Sequence, residues 1–182
     1  MKLARRRPAR FPVLSIFLAM EVSCAGAQVP STSAKSWPMS SGQLDRGDFE
    51  AHLGSSNPAE VAQLLGPQLA RAPDLTIVVT LVKNRSRETP VRVDPATVRL
   101  KLKSGQTLTP LTRDQVRSWA ESTGSTVASY AVLDPIEVKK GDALAAAAVF
   151  RLPAGADSSS AEAEMKVDLG AEGQLAVTSR LF

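Results

Sequence analysis

The stretch Asp74–Leu111, DLTIVVTLVKNRSRETPVRVDPATVRLKLKSGQTLTPL, decides the fold. In its first third the odd positions Leu75, Ile77, Val79 and Leu81 are all apolar, while the even positions Thr76, Val78, Thr80 and Val82 are mixed. Period-2 alternation with β-branched residues predicts a half-buried strand with its odd face on the core. Asn84-Arg85-Ser86-Arg87-Glu88-Thr89-Pro90 interrupts it with turn-formers and charge. Val91 and Val93 resume the strand pattern and Asp94-Pro95 breaks it again. Val98, Leu100 and Leu102 then alternate with Arg99, Lys101 and Lys103, and Ser104-Gly105-Gln106 turns into Thr107–Leu111. One apolar and one wet face per strand implies antiparallel sheets, and such a sheet buries its apolar face most economically on a second one.

The same pattern continues downstream. Thr126–Leu133 reads as a strand through Val127, Tyr130 and Val132, and Ile136–Val138 as a short one. Ala143–Leu152 has apolar residues on both faces, which predicts a central strand. Ala163–Leu169 and the run from Leu175 to Leu181 form a closing hairpin around Gly170–Gly173. The expectation is a mostly β chain: an antiparallel immunoglobulin-like sandwich of about seven strands with one or two short helices. One helix starts at Asn57-Pro58-Ala59-Glu60, a cap, an N1 proline and a capping-box acid, and ends at Gly66-Pro67. The other occupies one or two turns within Thr112–Thr123, with Trp119 expected to plug one end of the sandwich.

Residues 1–27 read as an export signal rather than as fold. Lys2, Arg5, Arg6, Arg7 and Arg10 form a basic region, Val13–Met20 a short apolar one, and Ala25-Gly26-Ala27 a small-x-small cleavage site. Residues 28–56, rich in Ser, Pro and Gly, read as a disordered tether, and 57–182 as the folded domain. The sequence pI of about 9.5 belongs to the leader. The whole chain carries 22 basic and 18 acidic residues. The first 27 residues hold five of the former and Glu21, so 17 of each remain, and basicity gives no ground for nucleic-acid binding. Cleavage near Ala27 also removes Cys24, the one cysteine. The expected location is periplasmic or extracellular. Membrane attachment follows only if Cys24 is lipidated, and Glu21 stands where a lipobox has a large apolar residue.

Chemistry is sparse in the remainder. His52 is the one histidine, read as a loop residue, and no second histidine or cysteine accompanies it for a zinc or copper site. No Gly-x-Ser-x-Gly or phosphate-cradling glycine loop occurs. Glu162 and Glu164 share the outward face of a strand, where solvated charge is the ordinary reading. A row of aromatic rings for a sugar chain or single-stranded nucleic acid is lacking, since Trp37, Trp119 and Tyr130 are scattered. No cofactor, metal or catalytic residue is assigned. The candidate partner contacts are Arg99, Lys101 and Lys103, one basic strand face suited to an acidic partner, and Trp37, a lone aromatic in the tether.

Two segments carry a resemblance. Val79–Leu111, with its Lys83-Asn84 turn, resembles the front half of bacterial extracytoplasmic immunoglobulin-like domains of the DUF4352 (telokin-like) type. Ile136–Gly155, IEVKKGDALAAAAVFRLPAG, with Phe150-Arg151-Leu152-Pro153, is similar to that group's glycine turn, strand and closing Phe-x-x-Pro. The chain departs from the pattern in the helical insertion at Thr112–Gly124 and in the missing lipobox. The resemblance implies a binding or accessory module and brings no functional residue with it. The function expected is therefore a non-catalytic exported module that engages an envelope or secreted protein. The alternatives are a lipid-tethered structural envelope protein and, further off, a hydrolase using His52 and Asp114.

Overall fold

The computed structural model describes residues 40–55 and 57–181. In chain order its elements are β1 (Ser40–Asp45), β2 (Phe49–Ser55), α1 (Pro58–Leu65), β3 (Leu75–Asn84), β4 (Val91–Val93), β5 (Arg99–Lys101) and β6 (Thr107–Leu108). There follow α2 (Arg113–Thr123), β7 (Ile136–Val138), β8 (Ala143–Arg151), β9 (Glu162–Asp168) and β10 (Gln174–Arg180). Single 3₁₀ turns occupy Leu69–Arg71, Pro95–Thr97, Ala131–Leu133 and Gly170–Glu172. The protein is thus mostly β, with ten strands in two antiparallel sheets rather than about seven. The first sheet runs β1-β2-β3-β8. In the second, β9 is central: β10 pairs with one of its edges, and β4 and β5 follow one another along the other, with β7 beyond β4 and β6 beyond β5.

Phe49, Ala51, Leu53, Val78, Val82, Ala148 and Phe150 from the first sheet meet Val93, Leu100, Ala163, Met165, Val167 and Val177 from the second in a fully enclosed core. Burying each Val, Leu, Phe or Met side chain among them contributes about 1.5–3 kcal/mol. Thr80 also faces inward, and its hydroxyl reaches the Met165 sulfur at 3.1 Å. The even positions of β3 therefore face the second sheet. The odd ones, Leu75, Ile77 and Val79, lie on the far side beneath a helical layer that supplies Val61, Leu64, Leu65, Val116, Trp119 and Val132. This reverses the expected facing. A sheet covered on both sides tolerates apolar residues at every position, and the helical layer claims the more uniformly apolar face.

The same layer explains three other departures. Thr126–Leu133 forms no strand: Val127, Tyr130 and Val132 pack against the first sheet's outer face from a loop and a 3₁₀ turn. The Ala128 amide there bonds the Leu65 carbonyl at 3.3 Å. Trp119 belongs to this layer and not to one end of the sandwich. β8 is covered on both faces yet stands at the end of its sheet, where the Leu111 amide takes up the Val149 carbonyl at 2.7 Å. α2 runs to 11 residues, opened by a Thr112–Gln115 capping box and closed by left-handed Gly124.

The expected tether is part of the fold wherever it is described. Residues 40–55 make the β1–β2 hairpin, and Phe49, Ala51 and Leu53 are buried from it. His52 is accordingly a strand residue opposite Gln43 and Leu81. At Gly42, β1 passes so close to β10 that a Cβ would lie 2.1 Å from the Thr178 carbonyl oxygen. Trp37 and the leader lie outside the described residues.

The chain leaves the first sheet after Asn84 and re-enters it at Ala143, and Asn84 joins both crossings. It is fully buried. Its amide nitrogen donates to the carbonyls of Arg87 and Val138, each at 3.1 Å, and its amide oxygen accepts from the Arg87 N–H at 2.9 Å. Its backbone bonds Asp142 and Gly141 at 3.0 and 2.8 Å. Replacing it with alanine strands three backbone groups, at a cost of about 1–3 kcal/mol for each one left buried. Asn84→Ala is expected to lower the unfolding free energy by about 3 kcal/mol, read from urea melts, with an unchanged m-value if the fold persists.

Candidate functional site

The outer face of the second sheet is a lattice of alternating charge. Register places Arg180, Glu162 and Lys101 in one row, Thr178, Glu164 and Arg99 in the next, and Gln174, Asp168, Arg92 and Glu137 in another. Opposite residues on paired strands share a face, so each acid has a base beside it and Glu162 has one on either side. The basic row read from sequence is therefore interleaved with acids that a one-dimensional reading places elsewhere. Arg99 is further committed, donating to the Ala96 and Val98 carbonyls at 2.8 and 2.9 Å. Lys103 lies past the end of β5, beside a separate cleft with Asp157 and Ser159, so the three candidate cations do not converge on one spot.

A cleft of about 400 Å³ opens on this face where the second sheet is interrupted. Its cause is local. Asp94 caps the 3₁₀ turn at Pro95–Thr97 by accepting the Ala96 amide at 2.9 Å, and that turn lifts the chain off β9 between β4 and β5. On that side β9 pairs through Val167 and Asp168 with β4 and through Ala163 and Glu164 with β5, leaving Lys166 at the gap. Val93, Pro135 and Ile136 contribute apolar surface, and Arg92, Glu137, Lys166 and Asp168 the polar walls. Glu137 pairs with Arg92 at 3.0 Å, and Asp168 accepts the Gly170 amide at 2.9 Å. Every carboxylate lining the cleft is thus engaged in holding its walls, while Lys166 has no ion-pair partner among the described residues.

A second polar cluster ties the turns at one end of the sandwich. Arg85 bridges Asp45, at 2.8 Å, and Glu50. The side chain of Arg87 is only 8% exposed. It spans Asp48 at 2.7 Å and Glu172 at 2.5 Å, and its guanidinium stands 5.7 Å from the Phe49 ring centroid. Asp48 belongs to the β1–β2 turn and Glu172 to the β9–β10 turn, so one side chain fastens the two sheets together. Arg87 holds both carboxyls below their ordinary range by hydrogen bonding, and Arg85 does the same for Asp45, helped by the Gly47 amide. The run 84–90 read only as a turn in sequence; nothing local marks Arg87 as a clamp, because its partners arrive from turns about 40 and 85 positions away.

Among the described residues, no group of three or more His, Cys, Asp or Glu side chains is placed to hold a metal ion. No helix among them is long and apolar enough to cross a membrane. No protein-family model matches the chain, and no curated protein matches it. Among solved structures it is similar to the yjhA protein from Bacillus subtilis, at 11% identity and a TM-score of 0.43, over 77% of this chain and 96% of that one.

Arg87→Ala is expected to cost about 2 kcal/mol, below the usual figure for a broken buried pair because the two carboxylates can re-solvate. The acid limb follows from the lowered carboxyls. Their stabilisation is complete above the unfolded values near 3.8 and 4.5 and is lost as pH falls through the depressed folded values. Thermal melts from pH 6 down to about 2.5 should therefore show a shallower acid decline in Arg87→Ala than in the parent.

Proposed function

We propose that the chain is a non-catalytic, exported immunoglobulin-like module that binds another envelope or secreted protein through the outer face of its second sheet. The immunoglobulin-like reading draws support from strand order. β2-β3-β8 against β10-β9-β4 follows the A-B-E against G-F-C arrangement of that class, with β7 beyond β4 in the C′ position and β1 as an added edge. Export rests on the leader pattern at 1–27. The DUF4352-type resemblance points the same way.

One observation carries the binding reading. The carboxylates of the Arg92–Lys166 cleft each hold a neighbouring backbone or side-chain group, and Lys166 stands uncommitted beside Val93 and Ile136. General acid–base chemistry needs a carboxyl free to exchange its proton with a substrate, whereas recognition needs a fixed wall, an apolar contact and a free charge. Arg99 and Lys101 extend the polar rim, whose alternating signs select a partner of complementary pattern more than one of uniform charge. The hydrolase reading has less to rest on: Asp114 pairs with Arg117 at 3.2 Å at the start of α2, while His52 stands in β2.

Lys166→Glu, an exposed substitution, tests this. The tagged exported chain should retain a discrete protein from the envelope fraction, and the variant should lose it while keeping its melting temperature. Retention by both proteins, or no retained partner, contradicts the reading. The mass of the same preparation separates the two tethering alternatives: a chain beginning at Gln28 is soluble, and a diacylated Cys24 marks a lipoprotein.

A further inference from the structure

We infer that the cleft beside α2, in the helical layer on the opposite side of the molecule, binds one ring of a saccharide. The cleft measures about 400 Å³, within the range of small-ligand sites, roughly 300–1,000 Å³. Trp119, Leu111, Asp114, Gln115, Ser118 and Arg151 line it. The indole is half-buried and packs against the apolar layer, so its position is fixed. Its Nε1–H has no partner among the described residues, and neither has the Ser118 hydroxyl.

The charges narrow the ligand. Asp114 pairs with Arg117 at 3.2 Å and Arg151 with Asp74 at 3.8 Å, so the charge on each wall is already balanced and neither calls for a charged ligand. What remains is a neutral molecule offering donors and acceptors together. Hydroxyl groups do both at once, and the apolar C–H face of a pyranose ring suits an aromatic side chain whose polar edge remains available. A row of rings is required to hold a long glycan, but one indole serves a single sugar unit.

The helix that carries the cleft is anchored from behind. Arg113 pairs with Asp134 at 2.6 Å, and Arg113 and Arg117 stand 5.9 and 5.7 Å from the Tyr130 ring centroid. Gln115 spends its amide oxygen on the Thr112 N–H at 2.8 Å, which leaves its NH₂ for a ligand.

The test follows the indole N–H signals of the full exported chain by ¹⁵N NMR. Glucose, N-acetylglucosamine and its β-1,4-linked disaccharide are the probes. A saturable shift confined to the Trp119 signal is expected with at least one of them, with Trp37 unmoved where both are present. Ser118→Ala and Arg151→Met should each weaken binding by up to about tenfold while the remaining spectrum stays dispersed. Absence of a saturable shift up to about 50 mM sugar in the folded chain overturns the proposal. An equal shift with sodium sulfate also overturns it, because the site is then only an anion contact of Arg151.

Discussion

The structure depends on a single buried amide. A sandwich whose chain passes from one sheet to the other must turn its backbone through the end of the core, where carbonyls and N–H groups leave the ladders without ladder partners. Asn84 supplies them at the two crossings that matter. It fixes the outgoing turn through Arg87 and the incoming end of β7 through Val138, and its own backbone holds the Gly141–Asp142 turn. Only a short side chain carrying both a donor and an acceptor serves there; aspartate lacks the donor and glutamine is longer by one carbon. Once the turn is fixed, Arg87 lies against Phe49 between Asp48 and Glu172 and closes the same end from the surface.

From that end the layers follow. β3 is the longest strand, and apolar residues leave it on both sides: Val78 and Val82 into the core between the sheets, Ile77 and Val79 under the helices. β8 beside it carries Ala145–Ala148 for the same reason. Small side chains on both faces let the helical layer and the second sheet approach together, and the inward Phe150 fills the volume the alanines leave. The result is three layers, in which the first sheet belongs to two cores. That arrangement leaves the outer face of the second sheet and the outer surface of the helices as the open faces.

Much of this was legible in the sequence. β3, β8 and the β9–β10 hairpin stand where alternation placed them, Asn57 marks the first helix start through capping chemistry, and the second helix lies within the run expected for it. What escaped was decided by tertiary contact. Phe49, Ala51 and Leu53 alternate properly, but Ser and Gly around them gave the segment the composition of a linker. Val127, Tyr130 and Val132 look like a strand face, yet serve equally well as apolar contacts from a loop. The facing of β3 was misjudged because its inward side includes Thr80, whose polarity is absorbed by Met165. Neither cleft was legible: Lys166 meets Arg92, and Trp119 meets Arg151, only after the sheets and helices have assembled.

Native-state hydrogen exchange of the amides on either side of the crossings examines the central claim most directly. If Asn84 locks both, the Asn84 and Gly141 amides should exchange as slowly as that of Val79 in the middle of β3, all three through global unfolding. If they instead exchange at the rate of an exposed turn such as Gly155, the crossings open independently of the sheets, and the fold is held by something other than the buried amide.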